Sequence, residues 1–126
     1  MSSTPTLATI YEDTAITCMA RIQGDDAENI VKSDVTSISL KTFLNYGTTA
    51  TATIVPVVDT SVFNTLQDSD ARWTKDSVGF NFLYQIDEVV FDTGDSTYRC
   101  EFKFSMNDQP DLFVIFSVDT VEVLSS

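Results

Sequence analysis

Two stretches of strict alternation, residues 80–86 and 98–104, constrain the fold more than any other feature of the sequence. In each stretch, every second residue is apolar. A period of two indicates half-buried β-strands, and the short connection between them favours an antiparallel pair. Because so wide an aromatic face must be covered, we predict a second sheet packed against it. The residues on these faces are Phe80, Phe82, Tyr84 and Ile86, then Tyr98, Cys100, Phe102 and Phe104.

The rest of the chain adds further strands. Residues 60–77 break the alternation and are predicted to be a crossover with one helical turn and with Trp73 packed on the rim. Residues 1–6 are small and polar and are predicted to form a flexible arm. About seven strands without a convincing helix predict one domain, residues 1–126, folded as an antiparallel β-sandwich. The other strands are expected at 7–12, 16–22, 35–44, 48–58 and 112–124.

The last predicted strand, 112–124, differs from the others in its polarity. Its first half is apolar on both faces, and in its second half Val121 and Val123 carry the apolar side on the opposite parity. A bulge near residues 117–120, or a burial partner outside the domain, explains such a switch. Terminal arms and edge strands are natural docking devices. We therefore predict an interface that includes Ser2, Thr4, Leu7, Leu112, Phe113, Ile115, Val121 and Val123.

Charge and composition argue against several function classes. The 126 residues carry a net charge of -12, which is unsuited to partners such as nucleic acid or an anionic membrane. The chain has no histidine, so it lacks the usual general base and the commonest metal ligand. There is no recognisable secretion signal or membrane-spanning run, so we expect synthesis in a cytoplasm. We predict a protein that is not an enzyme and uses no cofactor.

The sharpest motif is Asp92-Thr93-Gly94, which follows an apolar pair and resembles the active-site signature of aspartic proteases. Two such aspartates share a proton in those enzymes. The family also needs a downstream apolar pair followed by glycine, and this sequence has no glycine after Gly94. The alternative, which we favour, is a turn in which Gly94 takes a positive φ.

Other candidate sites are weaker. Pairs of acidic residues occur in turn-like segments, but none has the spacing of a calcium loop, so a weak divalent-cation site between loops remains only an alternative. Exposed aromatic side chains would suit stacking on a sugar or on a protein partner. The aromatic residues predicted to be exposed are Tyr11, Phe43, Tyr46 and Trp73.

Tyr98-Arg99-Cys100, after an acidic turn, resembles the tyrosine corner and second cysteine of immunoglobulin domains. Cys18 lies early on an apolar strand face, as the first cysteine would. Trp73 comes much later than the family's core tryptophan, so the resemblance implies the sandwich alone. Because a cytoplasm is reducing, we expect two buried free thiols at Cys18 and Cys100 rather than a disulfide.

The order of features across residues 8–123 resembles small immunoglobulin-like β-sandwich proteins encoded among the structural genes of tailed bacteriophages. Segments 62–67, 70–82 and 93–104 carry this likeness. The resemblance implies a virion component: a capsid decoration (cement) protein that bridges capsomers, or a tail or baseplate accessory. It also implies self-association as a trimer or dimer, and contact with the major capsid protein or with tail proteins. A carbohydrate- or receptor-binding module is the alternative from another class.

Overall fold

The computed structural model describes residues 6–24 and 26–124, which form a sandwich of two β-sheets. One helical turn, α1 (Val58–Ser61), and two 3-10 turns, Lys32–Asp34 and Glu88–Val90, connect the strands. The predicted all-β class is confirmed. The strands are β1 (Thr6–Tyr11), β2 (Ile16–Ala20), β3 (Val35–Leu44), β4 (Ala52–Ile54), β5 (Val62–Gln67), β6 (Phe80–Ile86), β7 (Thr97–Met106) and β8 (Leu112–Val121).

The strand order matches an immunoglobulin-like sandwich. The larger sheet runs β1-β8-β7-β3-β4 and the smaller one β2-β6-β5. All pairings are antiparallel except that of β1, which runs parallel to β8 from Thr6 opposite Phe116 to Tyr11 opposite Val121. The antiparallel prediction is therefore wrong for this strand. The reason is that the connection at residues 12–15 carries the chain from one sheet to the other instead of closing a hairpin.

The region predicted as a crossover, residues 60–77, contains a strand. Val62–Gln67 forms β5 at the edge of the smaller sheet, and the helical turn comes earlier, at α1. The preceding strand, predicted at 48–58, is only β4, and it ends just before Pro56, which has no N–H to donate. Sequence patterning missed β5 because an edge strand buries little; Val62 is its one fully buried residue.

The core lies between the inner faces of the two sheets. The predicted antiparallel pairing of residues 80–86 with 98–104 is wrong, because β6 and β7 belong to different sheets and face each other across the core. Every predicted inward residue of β7 is at most 1% exposed, and Phe82 of β6 makes edge-to-face contacts with Phe102 and Phe104 at centroid distances of 4.9 and 5.0 Å. The inward alternation of β8 continues unbroken to Thr120, and its register with β7 has no shift. The bulge predicted near residues 117–120 is therefore wrong.

One predicted core residue, Phe80, lies outside the sandwich. It packs with Met19 and Trp73 on the outer side of the smaller sheet, where the β5–β6 register is irregular. The same irregularity turns Asn81 inward, where its side chain bonds the backbone of Ile22 and Ile30. Trp73 is only 9% exposed, so the prediction of an exposed, stacking Trp73 is wrong.

The β5–β6 connection is held by one carboxylate. Asp76 accepts hydrogen bonds from the backbone of Gly79 and Val78 and from the Trp73 indole, and it forms an ion pair with Arg21 at 2.8 Å. These bonds, that from the Gly79 amide foremost, lower the pKa of Asp76 to about 2. Gly79 has a φ of +110°, and a Cβ there would lie 2.4 Å from the Gln67 carbonyl oxygen. The conformation of this loop is therefore held by the contacts of Asp76 and by the positive φ of Gly79.

Candidate functional site

The motif Asp92-Thr93-Gly94 belongs to a tyrosine corner. The buried Tyr98 hydroxyl accepts a hydrogen bond from the Thr93 amide at 3.1 Å and contacts an Asp92 carboxylate oxygen at 3.3 Å. The positive φ of this turn falls on Asp95, at 50°, and not on Gly94 as predicted. Gly94 is needed for another reason, since a Cβ there would lie 2.7 Å from the Cα of Glu122. Asp92 thus has a structural role at this turn.

The two thiols are buried in the core. Cys18 of β2 and Cys100 of β7 are both free, and they are 2% and 0% exposed. Burial raises the pKa of Cys18, with a further contribution from the neighbouring Cys100, and burial raises the pKa of Cys100 to about 12. A thiolate is the reactive form, so both groups are inert in the folded protein. Across the residues that the structure describes, no group of three potential ligands is placed to hold a metal ion.

The outward side chains of β3, β7 and β8 form the most distinctive surface, here called the outer face. They lie in three cross-strand rows, and a depression of about 330 Å³ runs across them between Phe43 and Phe113. Phe113 is 42% exposed, an unusual position for so large an apolar ring. The rows are Phe43–Arg99, Lys41–Glu101–Ile115 and Ser39–Lys103–Phe113.

The outer face is electrostatically unlike the rest of the chain. It carries three of the 7 basic residues, Lys41, Arg99 and Lys103, in a protein whose net charge is -12. Arg99 pairs with Glu101 along its own strand, and Lys103 pairs with Asp111 at 3.5 Å. The result is a nearly neutral surface that combines aromatic rings with balanced charges. Aromatic residues and arginine are enriched at the centres of protein interfaces, whereas lysine, glutamate and aspartate are depleted there and belong to the polar rim.

The predicted interface residues fall into separate places. Phe113 and Ile115 lie on the outer face, and Val121 lies opposite Tyr11 near the end of β8, where both are exposed. Val123 follows beyond the strand and is 38% exposed. Leu112 is wrong as an interface residue, because it points into the core and is 5% exposed. Ser2, Thr4 and the side chain of Leu7 lie outside the described part of the structure.

Sequence reasoning did not single out Lys41, Arg99 and Lys103 as site residues. The alternation already placed them opposite the apolar face, but pairing of β3 with β7 is what brings them together. Of the aromatic residues predicted to be exposed, Tyr11 and Tyr46 are 65% and 89% exposed, and Phe43 is half-buried in the depression.

Comparisons with family models, with curated proteins and with solved structures give no match to this chain. None of the helices formed by the described residues has the length and apolar character needed to cross a bilayer.

Proposed function

We propose that the chain is a non-enzymatic structural protein of a tailed-phage virion, and specifically a capsid decoration protein that docks through its outer face. The observation that carries this proposal is the nearly neutral, aromatic outer face on a strongly acidic sandwich. The likeness of segments 62–67, 70–82 and 93–104 to phage sandwich proteins supports the biological setting. The side chains most capable of reacting, Asp92 and the two cysteines, are engaged in the structure. Asp92 lies at the tyrosine corner, and both thiols are buried.

The dimensions of the outer face suit such docking. The three central strands β3, β7 and β8 each have 10 residues, and a strand of that length spans about 33 Å, with neighbouring strands about 4.8 Å apart. With β1 and β4, which have only 6 and 3 residues, the whole sheet covers about 600 Å², about three quarters of the roughly 800 Å² per partner of a standard interface. Docked across the boundary between capsomers, such a surface would stabilise the shell by contacting both of them.

The test is co-sedimentation with expanded heads of the phage that encodes the chain, comparing Phe113→Asp with Val89→Asp. Both variants place a carboxylate on an exposed apolar residue, but Val89, which is 71% exposed, lies in the 3-10 turn Glu88–Val90, away from the outer face. We expect the native chain and Val89→Asp to sediment with heads, and Phe113→Asp to stay in the supernatant. Binding by Phe113→Asp as tight as that of the native chain would overturn the proposal. Binding to purified tails instead of heads would support the tail or baseplate alternative.

A carbohydrate- or receptor-binding module is the second candidate, and the depression between Phe43 and Phe113 favours it. A half-buried ring beside Lys41, Glu101 and Lys103 offers both a stacking surface and polar partners for a sugar. A glycan array separates the two candidates. Saturable glycan binding that is lost in Phe113→Ala would favour the binding module, whereas head binding without any glycan signal would favour the decoration protein.

A further inference from the structure

One basic side chain of the outer face differs from every other basic side chain of the protein. Five of the 7 basic residues form ion pairs with carboxylates, and Lys75 is engaged as well. Lys41 is exposed, yet its ammonium forms no ion pair with any residue that the structure describes. In a chain with 19 acidic residues, carboxylates are plentiful. The charge of Lys41 is therefore left available for a partner.

The carboxylate nearest to Lys41 in the sheet is already in use. Glu101 lies directly opposite Lys41 on β7, where oppositely charged side chains normally meet. Its side chain instead pairs with Arg99, two residues away on the same strand. The diagonal neighbour of Lys41 on this face is a second ammonium, that of Lys103, which pairs with Asp111 at 3.5 Å. Two positive charges thus border the depression, and that of Lys41 has no counter-charge within the described chain.

Lys41 lies in the middle of the depression and not at its margin. Its cross-strand row runs between the row that contains Phe43 and the row that contains Phe113. Both rings line the same depression of about 330 Å³, together with Lys41 and Lys103. A partner that covers both rings therefore also covers the Lys41 ammonium and removes it from water.

An ammonium that is removed from water destabilises a complex unless an anion accompanies it. We infer that the partner protein inserts a carboxylate side chain, next to an apolar residue, into the depression, where the carboxylate pairs with Lys41. This inference rests on the proposed docking through the outer face. The rings of Phe43 and Phe113 contact the apolar neighbour, and Lys103 adds positive potential from the diagonal position.

The pairing would also make the docking selective. At long range, a chain with a net charge of -12 repels other acidic surfaces. Within the depression the local charge is instead positive, because Arg99 compensates Glu101 and leaves Lys41 uncompensated. A partner with a lysine or an apolar group at this point would leave the Lys41 ammonium buried and unpaired, which disfavours that partner. The contact is thus specific for a carboxylate in one position.

Co-sedimentation with heads tests the inference through Lys41→Met, which removes the ammonium and keeps an unbranched apolar side chain. We expect its affinity to fall by about 30-fold or more, because the partner's carboxylate loses its counter-charge. Lys41→Arg should keep most of the affinity. Lys32→Met is the matched control, since it removes a lysine that pairs with Asp59 away from the outer face, and it should bind as the native chain does. Native affinity in Lys41→Met would overturn the inference.

The failure of this inference and that of the proposed function have different signatures. If Phe113→Asp loses head binding while Lys41→Met keeps it, the outer face docks without inserting a carboxylate. If the native chain binds no heads, the proposed function fails, and an NMR titration decides the inference by itself. The probes are two capped tripeptides, leucyl-glutamyl-phenylalanine and leucyl-glutaminyl-phenylalanine, which differ only in the charge of the central side chain.

In this titration, only the glutamyl peptide should shift the amide signals of residues 39–43 and 101–103 and that of Phe113. The shifts should be absent in Lys41→Met. Equal shifts from both peptides, or none from either, would overturn the inference. An acidic sugar also carries a carboxylate, so a glycan array is the last arm. Binding confined to acidic glycans and lost in Lys41→Met, without shifts from the glutamyl peptide, would overturn the inference in favour of a sugar.

Discussion

The inner and outer faces of the larger sheet are built from the same strands but differ in burial and in charge. On β7 the four inward residues from Tyr98 to Phe104 are at most 1% exposed, whereas the outward residues Arg99, Glu101 and Lys103 carry charge. On β8 the inward Val114 is 3% exposed, but its neighbour Phe113 is 42% exposed. Residue parity therefore separates the residues that form the core from those that we propose for binding along a single strand. A substitution on one face should affect unfolding, and a substitution on the other should affect binding.

The largest effect expected is that of truncating an inner-face ring. Phe102 is 0% exposed and contacts Phe82, Tyr84 and Phe116 at centroid distances of 4.9, 5.9 and 5.9 Å. Phe102→Ala should lower the free energy of unfolding by about 3–5 kcal/mol, measured by urea denaturation. The matched outer-face variant, Phe113→Ala, should cost about 0.5 kcal/mol. Equal losses would mean that Phe113 is part of the core and that the two faces are not distinct.

A smaller loss of unfolding free energy is expected at the polar end of the inner face, where Tyr98 lies. Tyr98→Phe keeps the ring, which packs edge-to-face on Phe91 at 5.1 Å, and removes the hydroxyl bonded to Thr93 and Asp92. The loss should be about 1–3 kcal/mol, because the Thr93 amide is left without its partner. Tyr84→Phe is the control, since no hydrogen bond of its hydroxyl occurs among the described contacts, and its unfolding free energy should hardly change. A Tyr98→Phe variant as stable as the native chain would argue against the tyrosine corner as an anchor.

The thiols allow the inner face to be tested by pH. Their pKa values are raised in the folded state above the ordinary 9.0, that of Cys100 to about 12. Their contribution to stability is therefore fully present below pH 9 and is lost as the pH rises towards 12. A thiol reagent at pH 8 should label the native chain only after unfolding, whereas an outer-face thiol in Ser37→Cys should react at once. Rapid labelling of Cys18 or Cys100 in the folded chain would show that the inner face opens readily.

The smallest effect is expected outside both faces, at the loop held by Asp76. Its pKa is lowered from 3.8 to about 2 in the folded state, so its contribution to stability is present above pH 3.8 and is lost as the pH falls towards 2. Asp76→Asn should lower the melting temperature at pH 7 slightly and should flatten the decline of melting temperature between pH 4 and pH 2, as calorimetry would detect. If the melting temperature of Asp76→Asn declines between pH 4 and pH 2 as steeply as that of the native chain, other carboxylates cause the decline. Acid and alkali thus report on different regions of the molecule.

The buried side chains were predicted correctly where one face of a strand lies wholly in the core. They were predicted wrongly where pairing with a neighbouring strand decides which side is buried. The alternation of β7 predicted its four inward residues correctly, because a strand between two others must follow the pleat. The same reasoning misplaced Phe80, since the register irregularity with β5 reverses the side on which it packs. It also assigned Leu112 to an interface, because an apolar run on both faces does not state which parity faces the core.

The sequence by itself determined the all-β class, the inward aromatic residues of β7 and the absence of histidine chemistry, because period-two patterning and composition are local properties. Only the tertiary structure decided that β1 runs parallel to β8, that β2 pairs with β6 among the described residues, and that Lys41, Arg99 and Lys103 meet on one face. These features depend on which strands become neighbours. That choice is made by burial and connections across the whole chain, and no short stretch of sequence contains it.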